Sequence, residues 1–147
     1  MTQVALTTAY VVGGINLGVG LYGAWLWWYV LDKRLFGVGV RVAQVACAVQ
    51  AVVAGVVYLS GEHVDGNLYY LYAVLPVIVG FVAEQFRILS AQSILDARGF
   101  EDAQAVGALP EVEQQSVVVA ILRRETGIMT LACLVIVFLC WRVTITL

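Results

Sequence analysis

The sequence predicts an all-α integral membrane protein, built as one domain from a bundle of four transmembrane helices. Three observations support this fold class. Of the 147 residues, 62% are hydrophobic and only 12% are charged, whereas soluble domains average about 45–50% apolar and about 25% charged residues. Four apolar runs are each long enough to cross ~30 Å of hydrocarbon as a helix. None of the runs alternates polar with apolar residues, as the strands of a membrane β-barrel do.

The four spans are separated by short connections, except before the last. Span one is predicted at about residues 8–31 and span two at about 42–59, with a loop at 32–41 between them. Span three is predicted at about 68–86 and span four at about 126–145. No Lys or Arg precedes the first apolar run, and a secretory signal needs a basic segment there. We therefore expect span one to be a retained helix.

Small residues at four-residue spacing mark one face of span one and one face of span two. The residues are Gly14 and Gly18, and then Ala43, Cys47, Ala51 and Gly55. Helices associate in lipid through the close packing of small residues, so these faces predict helix contacts. Packing of span one against span two within a chain is the favoured interpretation. Contact with a second copy or with another subunit is the alternative, and the motif alone does not separate the two.

Span three ends in a charged segment that is expected to meet the start of span four. Glu84 lies about one turn inside the predicted membrane boundary, and Arg87 follows it. Arg124 and Glu125 lie at the same depth. Pairing of Glu84 with Arg124 and of Arg87 with Glu125 would hold the two helices together at the headgroup level. There are two alternatives for the same charges. One is a site for a lipid headgroup or an ion, and the other is a proton-handling carboxylate.

The region 87–125 is predicted to be a helical hairpin that continues spans three and four beyond the membrane. Gly99 supplies a stop for its first helix. Pro110 and Glu111 begin the second helix, because proline suits a first turn and an acidic residue complements the helix dipole. This second helix runs on into span four, which gives one helix of about 35 residues and ~50 Å.

The basic residues predict how the bundle is oriented. Seven of the eight Lys and Arg residues lie in the segments 32–41 and 87–125, and Arg142 is the exception. Basic residues are enriched in cytoplasmic loops, so these two segments are predicted to be cytoplasmic. Both termini and the turn that contains His63 are then outside.

His63 is the only histidine, and it lies in the polar stretch SGEHVDGN at 60–67. Gly61, Asp65 and Gly66 are turn formers, so an exposed turn is the favoured interpretation. The alternative is an axial ligand to haem or to the magnesium of a chlorin. A bis-histidine haem within one subunit is excluded by the single histidine.

Three cysteines, Cys47, Cys133 and Cys140, lie inside apolar runs. They form no C-x-x-C pair, so the zinc and dithiol redox signatures are absent. The favoured interpretation is that they are small packing residues in helices. A disulfide across the bundle is left open.

No catalytic motif of the hydrolase, zinc-protease or phosphate-binding classes occurs in the sequence. The net charge of −2 is too small to indicate that the protein binds nucleic acid. No predicted span has a charge at its centre, which counts against a secondary transporter or a proton pump. The favoured function is a non-catalytic structural or accessory subunit of a homo-oligomer or of a larger membrane complex, with no cofactor expected.

Two other functions remain as alternatives. The first is a haem- or chlorin-binding electron-transfer or pigment protein that uses His63 as its ligand. The second is a transporter of small solutes or lipids whose path is lined by Gln50, Glu84, Arg87 and Arg124.

Overall fold

The computed structural model of the chain describes residues 2–29, 34–61 and 68–146. Within these ranges the fold is entirely helical. The helices are α1 Thr2–Tyr29, α2 Arg34–Leu59, α3 Leu68–Ala97, α4 Ala103–Gly107 and α5 Glu111–Thr146. All except α4 are long and apolar enough to cross a membrane. The predicted all-α class and its four potential transmembrane helices are confirmed.

The four long helices form a ring in which each is antiparallel to its neighbours. Helix α1 packs against α2 and α5, and α3 packs against the same two helices. The diagonal pair α2 and α5 contacts far less. One end of the ring brings together the start of α1, the end of α2, the start of α3 and the end of α5, as the contacts among Ala5, Val57, Tyr69 and Val143 show.

The interior of the ring is lined mostly by apolar side chains along its length. The layer next to the chain termini is the richest in small residues, which are Ala5, Ala9, Ala54 and Ala73. The middle layer consists of Val12, Cys47, Ile136 and Cys140. The opposite end, here called the arginine end because Arg41, Arg87, Arg123 and Arg124 lie there, is filled by Leu26, Phe36, Val40, Ala83 and Met129.

Helix α2 begins earlier than the sequence analysis predicts. It starts at Arg34, so the predicted loop at 32–41 is wrong from residue 34 onwards. Two glycines, Gly37 and Gly39, make this segment resemble a loop. Phe36 and Val40, however, are buried at the arginine end, and burial of these two side chains outweighs the weak helix propensity of the glycines.

Helices α3 and α5 extend beyond the predicted spans as a hairpin. Helix α3 ends at Ala97, close to Gly99, whose φ of +77° is a conformation that favours glycine. Helix α5 contains 36 residues, in agreement with the predicted length of about 35. Between them, Asp102 caps the short α4 by accepting a hydrogen bond from the Ala105 amide at 2.9 Å. Leu95, Val106 and Val117 form a small separate core at the tip.

Candidate functional site

The outer side of α1 carries two glycines that nothing in the described chain covers. Gly14 and Gly18 are exposed, and a methyl group on either Cα would meet no other atom within 4 Å. They are preceded and followed by exposed apolar residues at alternating three- and four-residue spacing, Val11, Leu21 and Trp25. We call these five residues the outward glycine face. The favoured packing of Gly14 and Gly18 on span two is not among the contacts of the described residues, which leave open space over both Cα atoms.

The small residues of α2 divide between two environments. Ala43 and Cys47 are buried in the ring, and Ala51 is half-buried. Gly55 is exposed and has open space over its Cα. Ala51 and Gly55 instead line an apolar groove of about 320 Å³ between α2 and α3. The row of small residues on α2 therefore faces the interior of the ring at Ala43 and Cys47 and reaches the surface at Gly55.

Helices α1 and α5 approach each other through different glycines. Gly20 and Gly13 lie opposite α5, where an added Cβ would be 3.1 Å from Leu134 Cδ2 and 3.3 Å from Cys140 Cβ, respectively. Gly23 is the tightest position, since an added Cβ would overlap the Thr130 hydroxyl and the Phe36 ring. These three inward glycines are what lets α1, α2 and α5 pack closely.

Two buried amides lie at mid-height in the ring. Asn16 has no exposed surface, and its Nδ2 donates to the Val12 carbonyl at 2.9 Å and to Cys47 Sγ at 3.7 Å. Gln50 is also buried, and its Oε1 accepts a hydrogen bond from Cys140 Sγ at 3.6 Å. Sulfur is a weak hydrogen-bonding partner, so this cluster links α1 to α2 and α2 to α5 through weak polar contacts.

The three cysteines are free and buried. Within the part of the chain that the structure describes, they form no disulfide, and no group of three or more His, Cys, Asp and Glu side chains is placed to hold a metal. Cys47 and Cys140 belong to the middle layer. They act there as small apolar side chains with weak hydrogen-bonding capacity.

The charged cluster at the arginine end is centred on Glu84. Its carboxylate lies 3.0 Å from Arg87 Nε, 3.6 Å from Arg41 Nη1 and 2.9 Å from the donor Gln44 Nε2. Arg41 Nη1 in turn donates to Gln44 Oε1 at 3.1 Å. The Glu84 side chain is only 19% exposed, against 67% for Arg41. The cluster therefore ties α2 to α3 at the arginine end of the ring.

These contacts differ from the pairing that the sequence analysis expects. Glu84 binds residues of α2 and its own helix in place of Arg124, whose Nη1 is 3.5 Å from Ser93 Oγ. Glu84, Arg87 and Glu125 line one cleft of about 160 Å³, so three of the four charges do lie together.

The contribution of Arg41 and Gln44 is missed by sequence reasoning. Their three-residue spacing places them on one helix face, and this is the signal that could have indicated a joint role. The predicted loop at 32–41 placed Arg41 outside the helix and so concealed that spacing.

The structure bears differently on the residues of the two alternative functions. It does not describe the proposed cofactor ligand, and it separates the residues proposed to line a transport path. His63 lies outside the described residues, so the haem or chlorin hypothesis stays a prediction. The four residues of the transport hypothesis occupy three surroundings: Gln50 is in the middle of the ring, Glu84 and Arg87 are in the charged cluster, and Arg124 is beside Ser93.

Among the described residues, polar side chains link α2 to α1, α3 and α5. The outward glycine face of α1 and Gly55 of α2 are both exposed, with open space over their glycine Cα atoms. Comparison of the chain with protein-family models, with curated proteins and with solved structures finds no match.

Proposed function

We propose that the protein is a non-catalytic integral membrane protein that associates with a second copy of itself through the outward glycine face of α1. The observation that carries this proposal is the open space over Gly14 and Gly18. The two residues form a G-x-x-x-G motif within an apolar helix, a pattern typical of transmembrane helix dimerisation. Within the described residues, nothing packs over the motif.

The physical argument rests on what drives association in lipid. Lipid tails are as apolar as leucine, so two helices gain from contact only where they pack more closely with each other than with lipid. Gly14 and Gly18 leave a shallow depression with larger side chains, Val11 and Leu21, on either side. A second α1 that crosses at this depression brings the two backbones together and buries four glycines and their flanking residues.

The experiment measures association of the purified chain in lipid. The wild type is expected to be a dimer by native mass measurement in mild detergent, with energy transfer between labelled copies in vesicles. Gly14→Leu and Gly18→Leu fill the depression, so we expect dissociation constants about 10- to 100-fold higher, which corresponds to about 1–3 kcal/mol of overpacking. Gly55→Leu is the matched control, since it adds the same side chain at an exposed glycine of α2.

A wild-type chain that remains monomeric in vesicles at every protein-to-lipid ratio contradicts the proposal. So does an equal weakening by all three leucine variants, because that result would locate no contact on α1. A monomer that co-purifies with another membrane protein, and loses it in Gly14→Leu, would instead support the larger-complex form of the accessory-subunit hypothesis.

The proposed orientation places the arginine end in the cytoplasm, with both termini and the turn at 60–67 outside. It is supported by the distribution of basic residues, seven of which belong to the segments 32–41 and 87–125. A membrane-impermeant maleimide should label Ser60→Cys in intact cells and Glu101→Cys only after permeabilisation. The native cysteines are buried and should give little background. Labelling of Glu101→Cys in intact cells would reverse the orientation.

A further inference from the structure

A long apolar groove lies between α3 and α5 on the outer surface of the ring. Its volume is about 630 Å³, and its walls include Ile78, Val82 and Phe86 from α3 and Leu131 and Val135 from α5. This volume is within the ~300–1,000 Å³ typical of small-molecule sites. The walls fit a hydrocarbon chain.

One end of the groove is polar and positively charged. Arg124 and Ser93 line it there, with Arg124 Nη1 at 3.5 Å from Ser93 Oγ. Across residues 2–29, 34–61 and 68–146, no carboxylate lies within 4.0 Å of the Arg124 guanidinium. Ser93 accepts the hydrogen bond from Arg124 and keeps its own hydroxyl hydrogen to donate. This end therefore offers an anion several donors and a positive charge that no carboxylate of the described residues pairs with.

The length and level of the groove match one leaflet of a bilayer. Along α5 it runs from Val135 to Arg124, a rise of roughly 16 Å, which is about half of the ~30 Å hydrocarbon core. The neighbouring Arg123 lies over the Trp27 ring at 5.3 Å from its centroid. Tryptophan and arginine side chains anchor helices at the membrane interface, so Arg124 lies at the headgroup level and Val135 near the bilayer centre.

We propose that this groove binds one anionic glycerophospholipid from the leaflet at the arginine end. Its phosphate contacts Arg124 and Ser93, and one acyl chain lies along the groove towards Val135. Arginine binds phosphate through paired, charge-assisted hydrogen bonds, and an anionic headgroup compensates the charge of Arg124. Inorganic phosphate would use only the polar end and leave the apolar walls without a ligand. The site involves α3 and α5 alone, so it is independent of self-association through α1.

The first test compares two adjacent arginines. The protein is reconstituted with equal amounts of phosphatidylglycerol and phosphatidylcholine, extracted in mild detergent, and analysed by native mass spectrometry for retained lipid. The wild type is expected to retain phosphatidylglycerol in preference to phosphatidylcholine. Arg124→Gln should lower phosphatidylglycerol retention about five- to tenfold. Arg123→Gln removes the same charge outside the groove, and retention should stay within about twofold of the wild type.

The second test blocks the apolar part of the groove. Val82→Phe places a larger side chain on a wall residue that is 42% exposed, so folding should be preserved, as a circular dichroism spectrum would check. Retention of both lipids is expected to fall, while excess glycerol phosphate should not displace phosphatidylglycerol from the wild type.

Four outcomes would overturn the proposal: equal retention of the two lipids by the wild type, equal losses in the two arginine variants, unchanged retention in Val82→Phe, or displacement by glycerol phosphate.

Discussion

Helix α1 carries glycine on two opposite sides, and the surroundings of the two sets differ. On the inward side, Gly13, Gly20 and Gly23 lie against side chains of α5 and α2. On the outward side, Gly14 and Gly18 have open space over their Cα atoms. Glycine weakens a helix by about 0.5–1 kcal/mol relative to alanine. The inward set offsets this cost through close packing in its own bundle, and the outward set has no such compensation within the described chain.

The difference shows that a small-residue motif indicates a packing surface without identifying its partner. The inward glycines of α1 lack the four-residue spacing of a recognised motif, and yet they make the tight contacts. The outward pair has that spacing and makes none. A contact with another chain would produce this arrangement, and a second copy is the partner that we propose for it.

The largest effect on stability is expected for Gly23→Ala. The new Cβ would overlap the Thr130 hydroxyl and the Phe36 ring, and both belong to buried residues. Overpacking of this kind costs about 1–3 kcal/mol. Unfolding in a titration with a denaturing detergent, followed by circular dichroism, should show a loss of that size.

Gly20→Ala is the matched control for this prediction. Its new Cβ would be 3.1 Å from Leu134 Cδ2, the end of a flexible side chain that can rotate away. We therefore expect a smaller change, of less than about 1 kcal/mol. If Gly23→Ala were as stable as the wild type, α1 would not be packed tightly against α2 and α5 at Gly23.

The sequence allowed prediction of the helices more readily than of their faces. Hydropathy and length identify the four potential membrane helices, because an apolar run in lipid must satisfy its own backbone hydrogen bonds. The rotation of α1 about its axis is harder to predict, because both its sides are apolar and a membrane helix has no polar side to mark its exposed face. For this reason the sequence does not indicate that Gly14 and Gly18 are the glycines of α1 with open space over their Cα atoms.

The charged cluster illustrates a second limit of sequence reasoning. That Glu84 has an ionic partner was predictable, since a carboxylate near an expected membrane boundary needs one. Its partners Arg41 and Gln44 were not, because choosing them requires knowing that α2 starts at Arg34 and lies beside α3. Burial of Phe36 and Val40 determines that start, and this burial depends on neighbours that are distant in sequence.

The smallest effect, and one of opposite sign, is expected for Gly18→Ala. A methyl group at this position meets no other atom within 4 Å, so no packing is lost, and the intrinsic preference of helices for alanine should stabilise the chain by up to about 1 kcal/mol. The measurement is the same unfolding titration, performed at a protein concentration where the chain is monomeric, because a methyl group could also weaken a dimer. A loss of stability as large as that of Gly23→Ala would show that Gly18 is covered within its own bundle. The outward glycine face would then be an internal contact, and the argument for a second copy would lose its basis.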